Sequence, residues 1–160
     1  MSATGRLVVS RATRRACLAL LACVVVAFAQ GARAQEAPLP GDPKPSEWKA
    51  MERIISAQRA ALVAGEGVKA FAYASPGIRA QFGDPETFLE LVRTGYAPLL
   101  TARYVEFLPG AVIDGTVVVP LRLIDTDNTV RVALYILERQ KNGEWRIAGC
   151  RIAPSTTLAT

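Results

Sequence analysis

A chain of 160 residues without a single histidine has few ways to move a proton near neutral pH. Ser-His-Asp and Cys-His catalysis and histidine-ligated zinc are excluded at once. Acid–base work would need a carboxylate or a tyrosine shifted by burial. The first carboxylates to weigh are Asp114, Asp125 and Asp127, and all three fall at turn signals. Asp125-x-Asp127-Asn128 lacks the glycine and the terminal Glu of a calcium loop, so these residues read as turn formers. Glu106 lies between Val105 and Phe107 in a strand pattern, which predicts solvent exposure or an arginine partner. Cys150, flanked by Ile147, Ala148 and Ile152, reads as an inert thiol in a packed strand. No catalytic residue, metal ligand or cofactor is assigned.

The groups left are aromatic bodies with polar tips. Tyr73, Tyr96, Tyr104 and Tyr135, with the guanidinium of Arg122 and behind it Arg103 and Arg131, could line the mouth of a pocket. Such a set suits a small anionic or polar ligand in an otherwise apolar cavity, and for the module as a whole the expected ligand is a small apolar or amphipathic molecule. The leading expectation is a non-catalytic binding module. A lyase or isomerase using a tyrosine–carboxylate pair is the alternative, and a protein-interaction adaptor with a filled core is the third reading.

The elements that position these residues begin after a leader. Arg6, Arg11, Arg14 and Arg15 precede a run of fourteen apolar residues from Ala16 to Ala29, and Ala32-Arg33-Ala34 gives a small-x-small site before Gln35. Residues 1–34 therefore read as a signal peptide cleaved between Ala34 and Gln35, placing the mature chain in the periplasm or outside the cell. A run of fourteen falls short of the roughly 20 residues needed to cross a bilayer, so no stable membrane span is expected in the mature form. Five of the nineteen basic residues leave with the leader, which leaves fourteen against fourteen acidic ones. A neutral domain has no general attraction for phosphate backbones, and nucleic acid is not an expected partner. Cys17 and Cys23 leave too, so Cys150 has no intramolecular disulfide partner.

Residues 35–45, with Pro38, Pro40, Pro43 and Pro45, form a tether. A single α+β domain follows over residues 46–153, with a loose tail at 154–160. Ser46 is the expected N-cap of a helix to about Ala64, on which Trp48, Met51, Ile55 and Leu62 share a face. A short helix from Val68 to Ala74 should stop at Ser75-Pro76, with a tight turn through Gly77. Phe71, Ile78 and Phe82 make residues 71–85 a lid over the core. Asp84-Pro85-Glu86 starts a third helix to about Thr94. Strands are predicted over residues 103–108, 116–124, 130–139 and 145–152, joined by short antiparallel connections. Pro120 implies an edge or bulge. Val132, Leu134 and Ile136 alternate with Ala133, Tyr135 and Leu137, so both sheet faces are apolar. One face meets the helices; a homodimer through the sheet or a buried ligand would cover the other.

Phe71-x-x-Ala74-Ser75-Pro76-x-Ile78-x-x-x-Phe82-Gly83, Gly95-Tyr96-x-Pro98 and Trp145-Arg146-Ile147-x-Gly149-Cys150 resemble the bacterial domain-of-unknown-function family numbered 4864. The likeness covers nearly all of the mature chain. That family is similar in organisation to the nuclear transport factor 2-like superfamily. The resemblance implies three helices folded against a strongly bent antiparallel sheet, a cone with a pocket, and implies no activity.

Overall fold

The computed structural model describes residues 42–154. The expected leader with its Ala34–Gln35 junction, most of the tether and the tail from residue 155 lie outside the described residues. Five helices come first: α1 (Pro45–Val63), α2 (Gly67–Ala72), α3 (Pro76–Phe82), α4 (Pro85–Gly95) and α5 (Ala97–Thr101). Five strands follow: β1 (Tyr104–Phe107), β2 (Ala111–Ile113), β3 (Thr116–Ile124), β4 (Val130–Arg139) and β5 (Trp145–Pro154). The α+β class expected from the sequence therefore holds. None of these helices is long and apolar enough to cross a membrane.

Helix α1 starts two residues earlier than Ser46 capping would place it, with Lys44 at the N-cap. Pro45 occupies the first turn, where its missing N–H costs nothing, and the Glu47 carboxylate accepts the Lys44 N–H at 2.9 Å. Met51, Ile55, Gln58 and Leu62 form its buried face. The expected tight turn through Gly77 is instead helix α3. Ser75 caps it by accepting the Ile78 N–H at 3.3 Å, and Pro76 sits in its first turn. The proline that stops one helix thus begins the next. Pro98 plays the same part in α5, which the sequence reading lacks. Asp84 caps α4 as expected, accepting from Thr87 N at 2.8 Å.

The strands form one antiparallel sheet in the order β1-β3-β4-β5, with β2 also paired to β3. Asp114 and Gly115 both adopt positive φ, 49° and 75°, which closes the two-residue hairpin between β2 and β3. Pro120 lies on β3, whose neighbour is β1 on one stretch and β2 on another. Its carbonyl accepts Leu108 N at 3.0 Å from the connection between those strands, so the N–H that proline lacks falls where the ladder is interrupted. On β4 and β5 the register shifts at Ile136/Leu137, leaving Ala148 as a bulge. Residues 73–75 dock on the outer edge of β5: Ile147 N donates to Tyr73 O at 3.0 Å and Ser75 N to Ile147 O at 2.8 Å.

Two apolar clusters make up the interior. Met51, Ile55 and Leu99 meet the inward face of the sheet, including Val119, Leu121, Leu123 and Tyr135. Ala61, Leu62, Ala70, Phe71, Phe88 and Val92 form a second cluster among the helices. Phe88 takes Phe71 at 5.3 Å and Phe82 at 5.9 Å between ring centroids, contacts worth about 0.5–1.5 kcal/mol each beyond their burial. Tyr96 packs on both clusters. The opposite sheet face carries half-buried Val118, Pro120, Leu134 and Ile136, crossed by the Glu106–Arg122 ion pair at 2.6 Å.

Candidate functional site

A cavity of about 250 Å³ lies along the seam between the two clusters. Its helical wall is Leu62 of α1, Phe88 and Val92 of α4 and Leu99 of α5. Its sheet wall is Tyr135 of β4 with Ile147, Gly149 and Cys150 of β5. Helix α3 contributes Ile78, Gln81 and Phe82. Gln81 and Leu91 are solvent-exposed, which places the mouth between α3 and α4. The segment read as a lid is thus one wall of this opening, held at its start by the Ser75 cap and by Arg79 Nε donating to Ala74 O at 3.1 Å.

Among the described lining residues none carries a charge. The polar groups are Gln58, Gln81, Tyr96, Tyr135 and Cys150. Gln58, on the apolar face of α1, donates from Nε2 to Ala70 O at 3.3 Å. The Tyr96 hydroxyl donates to Cys150 O at 3.1 Å. Tyr135, directly across the ladder from Cys150, is 0% exposed, and its hydroxyl has no hydrogen-bond partner. A buried hydroxyl without a partner is a costly exception in a folded protein. Burial pushes the Tyr135 phenol far above the usual tyrosine range, with the Cys150 thiol adding to the rise and Arg59 opposing it. It stays a protonated donor at any physiological pH. Burial likewise pushes the Cys150 thiol up to about 12, which removes the thiolate that nucleophilic or redox chemistry requires.

The structure brings together two of the five expected binding residues, Tyr96 and Tyr135. Tyr73 packs half-buried on the sheet cluster beside the cavity without lining it. Tyr104 is 49% exposed on strand β1. Arg122 is paired with Glu106 on the opposite sheet face. Its parity explains this: Leu121 and Leu123 point into the core, so the residue between them points away. Arg103 and Arg131 serve the β3–β4 loop, where Arg131 pairs with Asp125 at 3.3 Å and Arg103 bonds Asn128 and Asp125 O. Asp127 accepts Thr129 N at 2.9 Å, and that bond holds its carboxyl below the usual range, as befits a turn former.

Sequence reasoning missed Gln58, Ile78 and Phe88 as wall residues. Gln58 had a readable signal: residues 51, 55, 58 and 62 recur at helical spacing, so a polar side chain stands on the buried face.

The family model described as Domain of unknown function (DUF4864) matches residues 44–160. The chain belongs to that family. The match takes in every helix and strand, and with them every lining residue of the cavity. No curated protein and no solved structure matches the chain. The chemistry of this DUF4864 domain therefore rests on its own cavity: apolar walls and a few neutral polar groups.

Proposed function

We propose that this DUF4864 domain is an exported, non-catalytic binding module with the cone of the nuclear transport factor 2-like folds, holding one small apolar or amphipathic molecule between its helices and its sheet. The observation that carries the reading is the cavity itself, apolar on both its helical and its sheet wall and without a charged residue among the described lining. An apolar cavity of about 150 Å³ accommodates benzene, so 250 Å³ suits a six-membered ring with a short substituent. Larger drug-like ligands need roughly 300–1,000 Å³. The lyase or isomerase alternative requires a carboxylate beside a tyrosine, and no carboxylate lines the cavity among the described residues. The leader pattern of residues 1–34 supports export, and the β5 bulge supports a bent sheet.

Native mass spectrometry of protein purified gently from cells expressing the full chain tests this reading. A reproducible added mass that survives soft ionisation and leaves on denaturation is the expected result. A bare chain in every preparation, as monomer or as dimer, would move the assignment to an interaction module. The subunit mass also reads out cleavage before Gln35, and an uncleaved mass would remove the export part of the proposal.

A further inference from the structure

Gln58 is a polar residue held inside the fold: it stands on the apolar face of α1, is only 4% exposed and lines the cavity. Its Nε2 donates to Ala70 O, which fixes the amide's orientation, since only the nitrogen can face a carbonyl. Its Oε1 accepts from no group among the described residues. The buried side-chain polar atoms there that are both unpartnered and closed off are Arg59 Nε, the Tyr135 hydroxyl and Trp145 Nε1. Gln58 Oε1 is unpartnered without being closed off, so it borders open space, and the space that Gln58 lines is the cavity. The remaining polar groups are spoken for or wet. Tyr96 spends its hydrogen on Cys150 O, and Gln81 is exposed at the mouth, where water serves its amide. A buried carbonyl oxygen left unsatisfied is costly, and a ligand that donates to it removes that cost. An ammonium donor would enter a site whose described lining offers no counter-charge, so the complement is a neutral donor.

We infer that the cavity selects small uncharged molecules bearing a hydrogen-bond donor, a hydroxyl or neutral N–H on a ring-sized apolar body, with Gln58 Oε1 as the recognition acceptor. This rests on the binding reading above and adds the ligand class to it. Gln58 is a binding residue here, with no bond made or broken. The second hydrogen on its Nε2 is also unengaged, so the test must separate donors from acceptors.

Four probes of similar size separate the terms, titrated into the full protein by calorimetry at neutral pH: p-cresol, its isomer anisole, which accepts but does not donate, toluene and benzylammonium. p-Cresol should bind roughly 2- to 10-fold tighter than anisole or toluene, the share of one neutral hydrogen bond, with benzylammonium weakest. In Gln58→Met, which keeps an unbranched side chain and loses the amide, that preference should vanish while toluene still binds, which also shows that the variant folds. Gln81→Met, at the mouth, should keep the preference. A readout independent of any variant is the side-chain carbonyl carbon resonance of Gln58 in labelled protein, expected to move downfield with p-cresol and not with anisole. If none of the four probes binds, the binding reading itself is overturned. If anisole or toluene binds as tightly as p-cresol, if the preference survives Gln58→Met or is lost in Gln81→Met, or if the Gln58 carbonyl carbon does not move, the cavity stands and the donor inference is overturned. If benzylammonium binds tightest, the selection for uncharged ligands is overturned.

Discussion

Replacing Tyr135 by Phe should make the ligand-free protein more stable, which is unusual for a change at a fully buried position. The ring keeps its place: Tyr135 is 0% exposed in the sheet cluster, and Phe differs only by the hydroxyl. That hydroxyl has lost its water and gained no protein partner. A buried polar group left unsatisfied costs about 1–3 kcal/mol, so its removal should return about 1–2 kcal/mol once imperfect repacking is allowed for. For a domain of this size that is a Tm rise of roughly 4 °C or more. Tyr96→Phe is the companion change with the opposite sign, because it deletes the 3.1 Å bond to Cys150 O and should cost about 0.5–1.5 kcal/mol. Urea titrations followed by Trp48 and Trp145 fluorescence measure both. A Tyr135→Phe midpoint at or below wild type would refute the reasoning, since the hydroxyl would then have a partner such as an ordered water.

Other consequences follow from single contacts. Ser75→Ala removes the α3 cap accepting Ile78 N and should lower stability by about 0.5–2 kcal/mol, read by the urea midpoint. Gly110→Ala would set a methyl 2.6 Å from Cε3 of Trp48; overpacking of that kind costs about 1–3 kcal/mol, and the tryptophan emission should shift with it. Cys150, its thiol raised to about 12 by burial, should react with a thiol reagent at pH 8 slowly when folded and completely in urea. Asp84 has its carboxyl lowered by the Thr87 N–H, so its stabilising effect is present above the ordinary value of 3.8 and is lost as pH falls through the lowered folded value. Asp84→Asn should therefore flatten the acid limb of the stability curve below about pH 4, measured by circular dichroism against pH.

Much of the fold was legible because its signals are local. The Asp84-Pro85-Glu86 start of α4 and the Asp114-Gly115 hairpin carry their own backbone chemistry. Alternation in β4 correctly separated Ala133, Tyr135 and Leu137 from their outward neighbours. Helix α3 escapes the sequence reading because Pro76 counts there as a stop, although proline in a first turn is favourable, and α5, five residues long, is too short to show a helical repeat. Strand β2, three residues long, is too short to show alternation. For the cavity, Tyr135 was found by residue type and its inward parity follows from the alternation, whereas Tyr96 reaches Cys150 O only because α4 and α5 meet over β5. Arg122 and Tyr104 show the limit of choosing by residue type, since strand parity and exposure, not chemistry, decided their side.

Titrating p-cresol into isotopically labelled full protein while following backbone amide shifts tests the cavity claim most directly. Saturable shifts concentrated at Val92, Gly149 and Cys150, on the two facing walls, are predicted. Shifts confined to Arg122 and Leu134 on the opposite sheet face, or no saturable shifts at all, would contradict it.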